Sequence, residues 1–346
     1  MTDLIGDPLF QLNLMLWLSL PQPAGGRITP ILHDAGFKAH WISPKLTLSQ
    51  EIAEKLRQKG IRSNQSVAPD LMLKRSGEDQ FVLVECKKSG FGLDSIKPTK
   101  QAVGLLVMQG DVLRDAAAGL RKDKWSSHLV YVVNDDDREP LSVTLHELTV
   151  AIEQAACTAN DFDTWGLIQK DDGVYINFGQ APCFDNPELC GAKRVLEGRA
   201  QPLLDLIPVD ITVSTPNKEA KIRLQERFRT SLMASIPRIL TQEPMVIDLE
   251  QVWKRAVIVW DIWRCRDTKR YLIREAKKWF GSVLDNLEEK AKYERHVIGS
   301  RVEIAGLTDE GRRLLVKEIQ SSRVRKSEIL REYTQEQLNF SSDDDN

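Results

Sequence analysis

Cysteine and histidine are scarce, with five of each in 346 residues. The cysteines stand at 86, 157, 183, 190 and 265 and form no CxxC pair and no regular ladder. That argues against a structural zinc or a disulfide framework and suits a reducing compartment, the cytoplasm. His33 and His40 are too far apart for a one-turn metal pair. Charge of one sign is also lacking: the formal net charge is -2, so there is no global pull toward nucleic acid or membrane, and such a partner would need a local basic patch. Long hydrophobic runs are absent as well. The longest candidate, in MTDLIGDPLFQLNLMLWLSLPQP, has no basic leader and is interrupted by Gln11, Asn13 and Ser19. It reaches only about a dozen residues where a membrane span needs roughly 20. A buried helix is expected there, with no membrane partner. No internal repeat is visible.

The length suffices for two or three cores. Residues 1–157 read as a compact α/β domain. LSQEIAEKLRQKG, 48–60, places Leu48, Ile52 and Leu56 on one helical face, with Gly60 as a C-terminal stop. Ser66 to Lys74 and Phe81 to Lys87 read as two strands of a hairpin turned by SGED. Pro98 stands as a first helical residue before TKQAVGLLVMQGDVLRDAAAGL. HLVYVVN, 128–134, is a buried strand ended by Asp135, Asp136 and Asp137, and 145–157 is a further helix. Residues 158–245 read as a connecting α+β region. There WGLIQ and GVYINFG form a hairpin around DDG, while PELCGAKRVLEGRAQPLLDLI and NKEAKIRLQERFRTSLMASI look helical. Residues 246–336 are mostly helical and basic, and 337–346 form an acidic tail expected to be disordered.

Chemistry concentrates in VAPDLMLKRSGEDQFVLVECKKSGFG, 67–92. A central strand is a poor place for ionised groups, because an unpaired buried charge costs several kcal/mol or more. A metal ion, a salt bridge or solvent exposure must compensate. Alternation puts Glu85 and Lys87 on one face with Phe81 and Leu83, and Val82, Val84 and Cys86 on the other. Hairpin pairing brings Asp70 toward Glu85. Two close carboxylates repel unless a cation lies between them. Hard oxygen ligands few in number suit Mg²⁺, with Mn²⁺ as a substitute. Lys87 on the same face could orient or help deprotonate an attacking water and stabilise charge on phosphorus.

Pro69-Asp70 followed by Glu85-Cys86-Lys87 at the end of the next strand resembles the PD-(D/E)xK nuclease superfamily, over roughly residues 40–150. The resemblance implies a restriction-endonuclease-like fold, a mixed central sheet flanked by helices. By this analogy Asp70 and Glu85 ligate Mg²⁺ together with the Cys86 carbonyl, and Lys87 is the catalytic lysine. It further points to an acidic residue on the preceding helix, for which Glu51 is favoured over Glu54, and to Gln101 one turn into the following helix. Where some members carry a tyrosine four residues later, this chain has Leu105. Lys88, Lys97 and Lys100 would lie near the phosphate path.

In the C-terminal half, basic residues from Lys254 to Lys278 outnumber Asp261, Asp267 and Glu275, and aromatics interleave. Trp260 and Trp263, a turn apart, are expected in the core. RVEIAGLTDEGRRLL, 301–315, is similar to the wing and last helix of winged-helix regulators of the multiple-antibiotic-resistance type. That likeness implies a recognition helix from about Ser282 to His296 and puts Arg301 on the wing. The acidic Asp285, Glu288, Glu289 and Glu294 on that helix would repel phosphate, which leaves open a protein-docking role.

The expectation is therefore a Mg²⁺-dependent DNA endonuclease with a mostly helical, winged-helix-like C-terminal part. The resemblance sets it in restriction, antiphage defence, mobile-element or repair contexts. A homodimer is expected if both duplex strands are cut. The alternatives are a non-catalytic DNA-binding or assembly protein, and a nuclease subunit active only with a protein partner docked on its C-terminal region.

Overall fold

The computed structural model describes residues 4–22, 26–76, 80–110, 112–113, 126–198, 206–207 and 218–321. The chain forms two compact units, one of Met1–Pro216 with Val259–Arg266, the other of Asn217–Ile258 with Asp267–Asn346. Among the described residues, no helix is long and apolar enough to cross a membrane.

The first unit is built on a seven-stranded mixed sheet. Its strands are β1 (Phe37–Ile42), β4 (Leu71–Arg75), β5 (Gln80–Cys86), β6 (Ser126–Asn134), β7 (Asp161–Lys170), β8 (Gly173–Asn177) and β9 (Ala192–Glu197), in that spatial order. The pairs β1–β4 and β4–β5 are antiparallel, β5–β6 and β6–β7 parallel, β7–β8 and β8–β9 antiparallel. Parallel neighbours require crossovers; α4 (Ile96–Leu106) lies between β5 and β6, and α5 (Asp135–Gln154) between β6 and β7. One sheet face, with Phe81, Leu83, Leu129, Tyr131 and Val133, packs on Val103 and Leu106 of α4 and on Leu141, Leu145 and Ile152 of α5. Leu56 of α3 (Gln50–Gln58) joins that core. Helix α1 (Pro8–Leu18) packs against β5. As the sequence implied, it is buried nearly all round, and Asp7 caps it by accepting from the Leu9 amide. A four-residue helix, α2 (Ile31–Asp34), precedes β1.

This mixed α/β sheet flanked by helices is the coarse architecture expected from the sequence, but several details differ. The strand expected over 66–74 is broken at Pro69-Asp70 into β3 (Ser66–Val67), which pairs with β2 (Leu46–Thr47), and β4. Proline removes a ladder donor, and the break turns Asp70 out of the regular pairing. Helix α4 begins at Ile96, so Pro98 is its third residue and not its first. The part of the expected helix at 114–120 lies outside the described residues, as do 77–79 of the expected turn and the acidic tail. Helix α5 starts at the three aspartates that were expected only to end β6; acidic residues suit the positive end of a helix. The sheet does not stop near residue 157. The hairpin around DDG, found as expected, is β7–β8 of the same sheet. PELCGAKRVLEG does not form the expected helix: Ala192–Glu197 is β9, completing the edge beside β8.

Val259–Arg266 returns to the first unit from far along the chain. Trp263 forms a parallel bridge with Ile42 of β1, and the Arg264 amide donates to the Ile42 carbonyl at 2.8 Å. Trp260 and Trp263 are buried, as expected, with rings edge to face at 6.1 Å. The Arg264 guanidinium lies 5.0 Å from the Trp41 ring centroid.

The second unit runs α6 (Lys218–Ile239), β10 (Met245–Asp248), α7 (Leu249–Ala256), α8 (Arg266–Glu288), β11 (Glu294–Ile298), β12 (Arg301–Ala305) and α9 (Asp309–Ser321). Its antiparallel sheet has the order β10–β12–β11. Phe228 and Trp253 meet at 5.1 Å in its core, and the Trp253 indole donates to the Leu272 carbonyl at 3.1 Å. Thr308 caps α9 by accepting from the Gly311 amide at 3.2 Å. The helix expected over Ser282–His296 is corrected: α8 ends at Glu288, and Glu294–His296 belong to β11.

Candidate active site

The C-terminal end of β5 turns from apolar to charged, and the fold gathers polar groups around it. Leu71–Val84 is the last pair of the β4–β5 ladder, and Asp70 stands at the break just before it, beside the end of β5. The Asp70 Oδ2 accepts from the Cys86 amide at 2.7 Å, a bond that ties the carboxylate to the end of β5. Asp70 is 5% exposed and Glu85 only 1%.

Glu85, Lys87 and Gln101 close a ring of hydrogen bonds. The Lys87 Nζ donates to the Glu85 Oε1 at 2.7 Å and to the Gln101 Oε1 at 3.0 Å, while the Gln101 Nε2 donates to the Glu85 Oε1 at 2.7 Å. Helix α4 delivers Gln101 to this point one turn past its start. An ammonium has three donors. Two are used within the ring, and the third remains for an outside acceptor. The Glu85 Oε2 is buried and has no hydrogen-bond partner among the described residues.

Electrostatics distinguish the partners. Burial pushes the Glu85 carboxyl up, and the attraction of Lys87, the bonds from Lys87 and Gln101 and the nearby Asp70 backbone dipole offset this only in part. Burial acts on Lys87 in the opposite sense, lowering it, but Glu85 and then Asp70 outweigh burial and hold the ammonium above its ordinary value. Lys87 is therefore charged at neutral pH. It is suited to steady negative charge. Burial, followed by Asp70 and Glu85, raises the Cys86 thiol well above the usual range, so that side chain is not a nucleophile.

Asp70, Glu85, Lys87 and Gln101 thus come together as expected, and Glu51 does not join them. It lies on α3, between β1 and β4, and its exposed carboxylate pairs with Lys55 at 2.8 Å. The helix before β1 that reaches this region is α1, which contributes Gln11. Its Nε2 donates to the Lys87 carbonyl at 3.1 Å and to the Ile5 carbonyl at 2.8 Å. Sequence reading treated Gln11 only as an interruption of an apolar run. A fully buried amide needs partners, and that need was the available signal. Lys88 and Lys97 are exposed, and Lys100 is half-buried near the start of α4. Arg301 begins β12 at the hairpin turn of the second unit, exposed and 3.7 Å from Asp248.

A divalent cation fits the donors present. Among the described residues no group of three or more His, Cys, Asp or Glu side chains stands ready for a metal; the site offers two carboxylates and the Cys86 backbone. Such a set suits Mg²⁺, which keeps several waters and uses one or two carboxylates. The buried, unpartnered Glu85 Oε2 is the atom that a cation would satisfy. No family model, curated protein or solved structure matches this chain.

Proposed function

We propose that the first unit is a metal-dependent nuclease of the PD-(D/E)xK type that hydrolyses phosphodiester bonds in DNA. The observation that carries this reading is the Asp70–Glu85–Lys87–Gln101 cluster, whose two carboxylates are buried, with one carboxylate oxygen that has no partner among the described residues and one lysine N–H beyond the two used in the ring. The antiparallel succession β1–β4–β5, the crossover through α4 and the parallel β6 agree with the core of that superfamily. Asp70 and Glu85 would hold Mg²⁺ with the Cys86 carbonyl, and the ion supplies Lewis-acid activation of the phosphate and of the attacking water. Lys87 turns its remaining N–H to a phosphoryl oxygen and balances charge as it develops. Gln101 fixes Lys87 and Glu85 relative to each other, and Gln11 anchors the backbone at Lys87.

The second unit supports a nucleic-acid substrate. Its order of helix, strand, helix, helix, two strands and helix, with sheet order β10–β12–β11, is compatible with the winged-helix reading. In that reading α8 is the recognition helix, and Arg270, Arg274 and Lys278 form an exposed basic stripe at four-residue spacing.

Cleavage of supercoiled plasmid and labelled single-stranded DNA with Mg²⁺, Mn²⁺ or EDTA tests the proposal. The wild-type protein should cut only with metal. Lys87→Ala and Glu85→Gln should lose about 10²–10³-fold or more, whereas Glu51→Ala should cut like the wild type. Metal-independent cutting, or full activity in Lys87→Ala, would remove the site from the chemistry.

A further inference from the structure

Two buried polar atoms on paired residues lack hydrogen-bond partners among the described residues. The parallel register of β5 and β6 sets Glu85 beside Tyr131, and paired residues of adjacent strands project on the same face. The Glu85 Oε2 and the Tyr131 hydroxyl are both buried without a hydrogen-bond partner among the described residues, in residues 1% and 0% exposed. The rest of that face is apolar around them: Leu83, Leu129 and Val133 belong to the same core, and the Phe91 ring meets Tyr131 edge-on at 5.8 Å. A lone buried hydroxyl is destabilising where phenylalanine would fill the same space, so a tyrosine here calls for a polar neighbour. Glu85 is that neighbour. Burial, then Glu85 and then Asp70 raise the phenol well above its ordinary value, which keeps it a donor.

We propose that Tyr131 is a positioning residue of the Asp70–Glu85 site: the two side chains do not bond directly, and the Tyr131 hydroxyl acts by donating to a water that in turn donates to the Glu85 oxygen not used by Lys87 and Gln101. It thereby fixes the carboxylate orientation offered to a divalent cation. The inference rests on the metal-dependent reading above. Residues that orient metal ligands without touching the metal commonly change affinity by about 10–100-fold when removed.

Calorimetric titration of the full chain with Mn²⁺ separates the possibilities, with the metal-free melting temperature measured beside it. Tyr131→Phe is expected to bind Mn²⁺ about 10-fold or more weakly than wild type while its metal-free melting temperature does not rise. Phe91→Leu loosens the packing around the same ring but keeps the hydroxyl, and should retain wild-type affinity. Wild-type affinity in Tyr131→Phe, together with a raised melting temperature, would identify an isolated hydroxyl and overturn the role of Tyr131 while leaving the metal site intact. Equal loss in Phe91→Leu and Tyr131→Phe would assign the effect to packing and also overturn it. If the wild type binds no Mn²⁺, or Glu85→Gln binds it equally well, the metal-dependent reading fails and this inference with it.

Discussion

Glu85 is the residue on which the site turns, and its burial makes a prediction for the metal-free protein. A carboxyl whose folded value lies above its ordinary 4.5 contributes stability that is complete below 4.5 and is lost as pH rises through the folded value. In EDTA, therefore, the wild-type protein should lose stability relative to Glu85→Gln as pH rises above 4.5, levelling off once the folded value is passed. Melting temperatures of the two proteins across this range check it. A wild type that instead gains on the variant would mean that Lys87 outweighs burial. Asp70, Glu85 and Lys87 were legible in the sequence because charge at the end of an apolar strand stands out against its surroundings. Gln101 was legible only through its place after that strand. Tyr131 and Gln11 were hidden for a physical reason: tyrosine is an ordinary strand residue, and a single amide in an apolar helix looks like a break until its partners are seen.

Elements carry the site to its place, and the junction of β6, α5 and β7 leaves no room for a side chain at Gly166. A Cβ at Gly166 would stand 2.0 Å from the Asp135 Oδ1 and 2.7 Å from the Asp135 Cα. The second contact is with backbone, which a side-chain rotation does not relieve. Gly166→Ala should therefore destabilise the protein by about 1–3 kcal/mol, read from urea unfolding, whereas Gly281→Ala, with nothing within 4 Å of its Cβ, should not. The sequence marked the buried helix, the central strands and the first hairpin well, since period and turn chemistry agree there. It failed at β9, where a glycine-bounded segment of mixed charge has helical composition but serves as an edge partner for β8. It also failed at Glu294–His296, where polar residues on an exposed strand resemble the end of a helix. Tertiary pairing decided both, and pairing is not encoded within a short window.

The whole molecule is interleaved, because the chain leaves the first unit and later returns Val259–Arg266 to it. A fragment ending at Pro216 would lack the Trp263 bridge to Ile42, the Arg264 bond to β1 and the buried Trp260 and Trp263. Losing buried aromatics costs about 3–5 kcal/mol each, comparable with the margin of an entire domain. The fragment 1–216 should thus be markedly less stable than the first unit within the full chain, or insoluble, as judged by thermal melting and gel filtration. A fragment as stable as the intact protein would mean that the returning segment is only an ornament. The same interleaving sets a timetable for synthesis. At about 5–20 residues per second, a ribosome completes the seven sheet strands long before it reaches the segment that covers β1. For several seconds of every synthesis the nascent chain holds Asp70, Glu85 and Lys87 on a sheet whose outer edge is still bare. A chaperone that shields strand edges would have its target then, and a chain released before residue 259 should share the lowered stability of the 1–216 fragment.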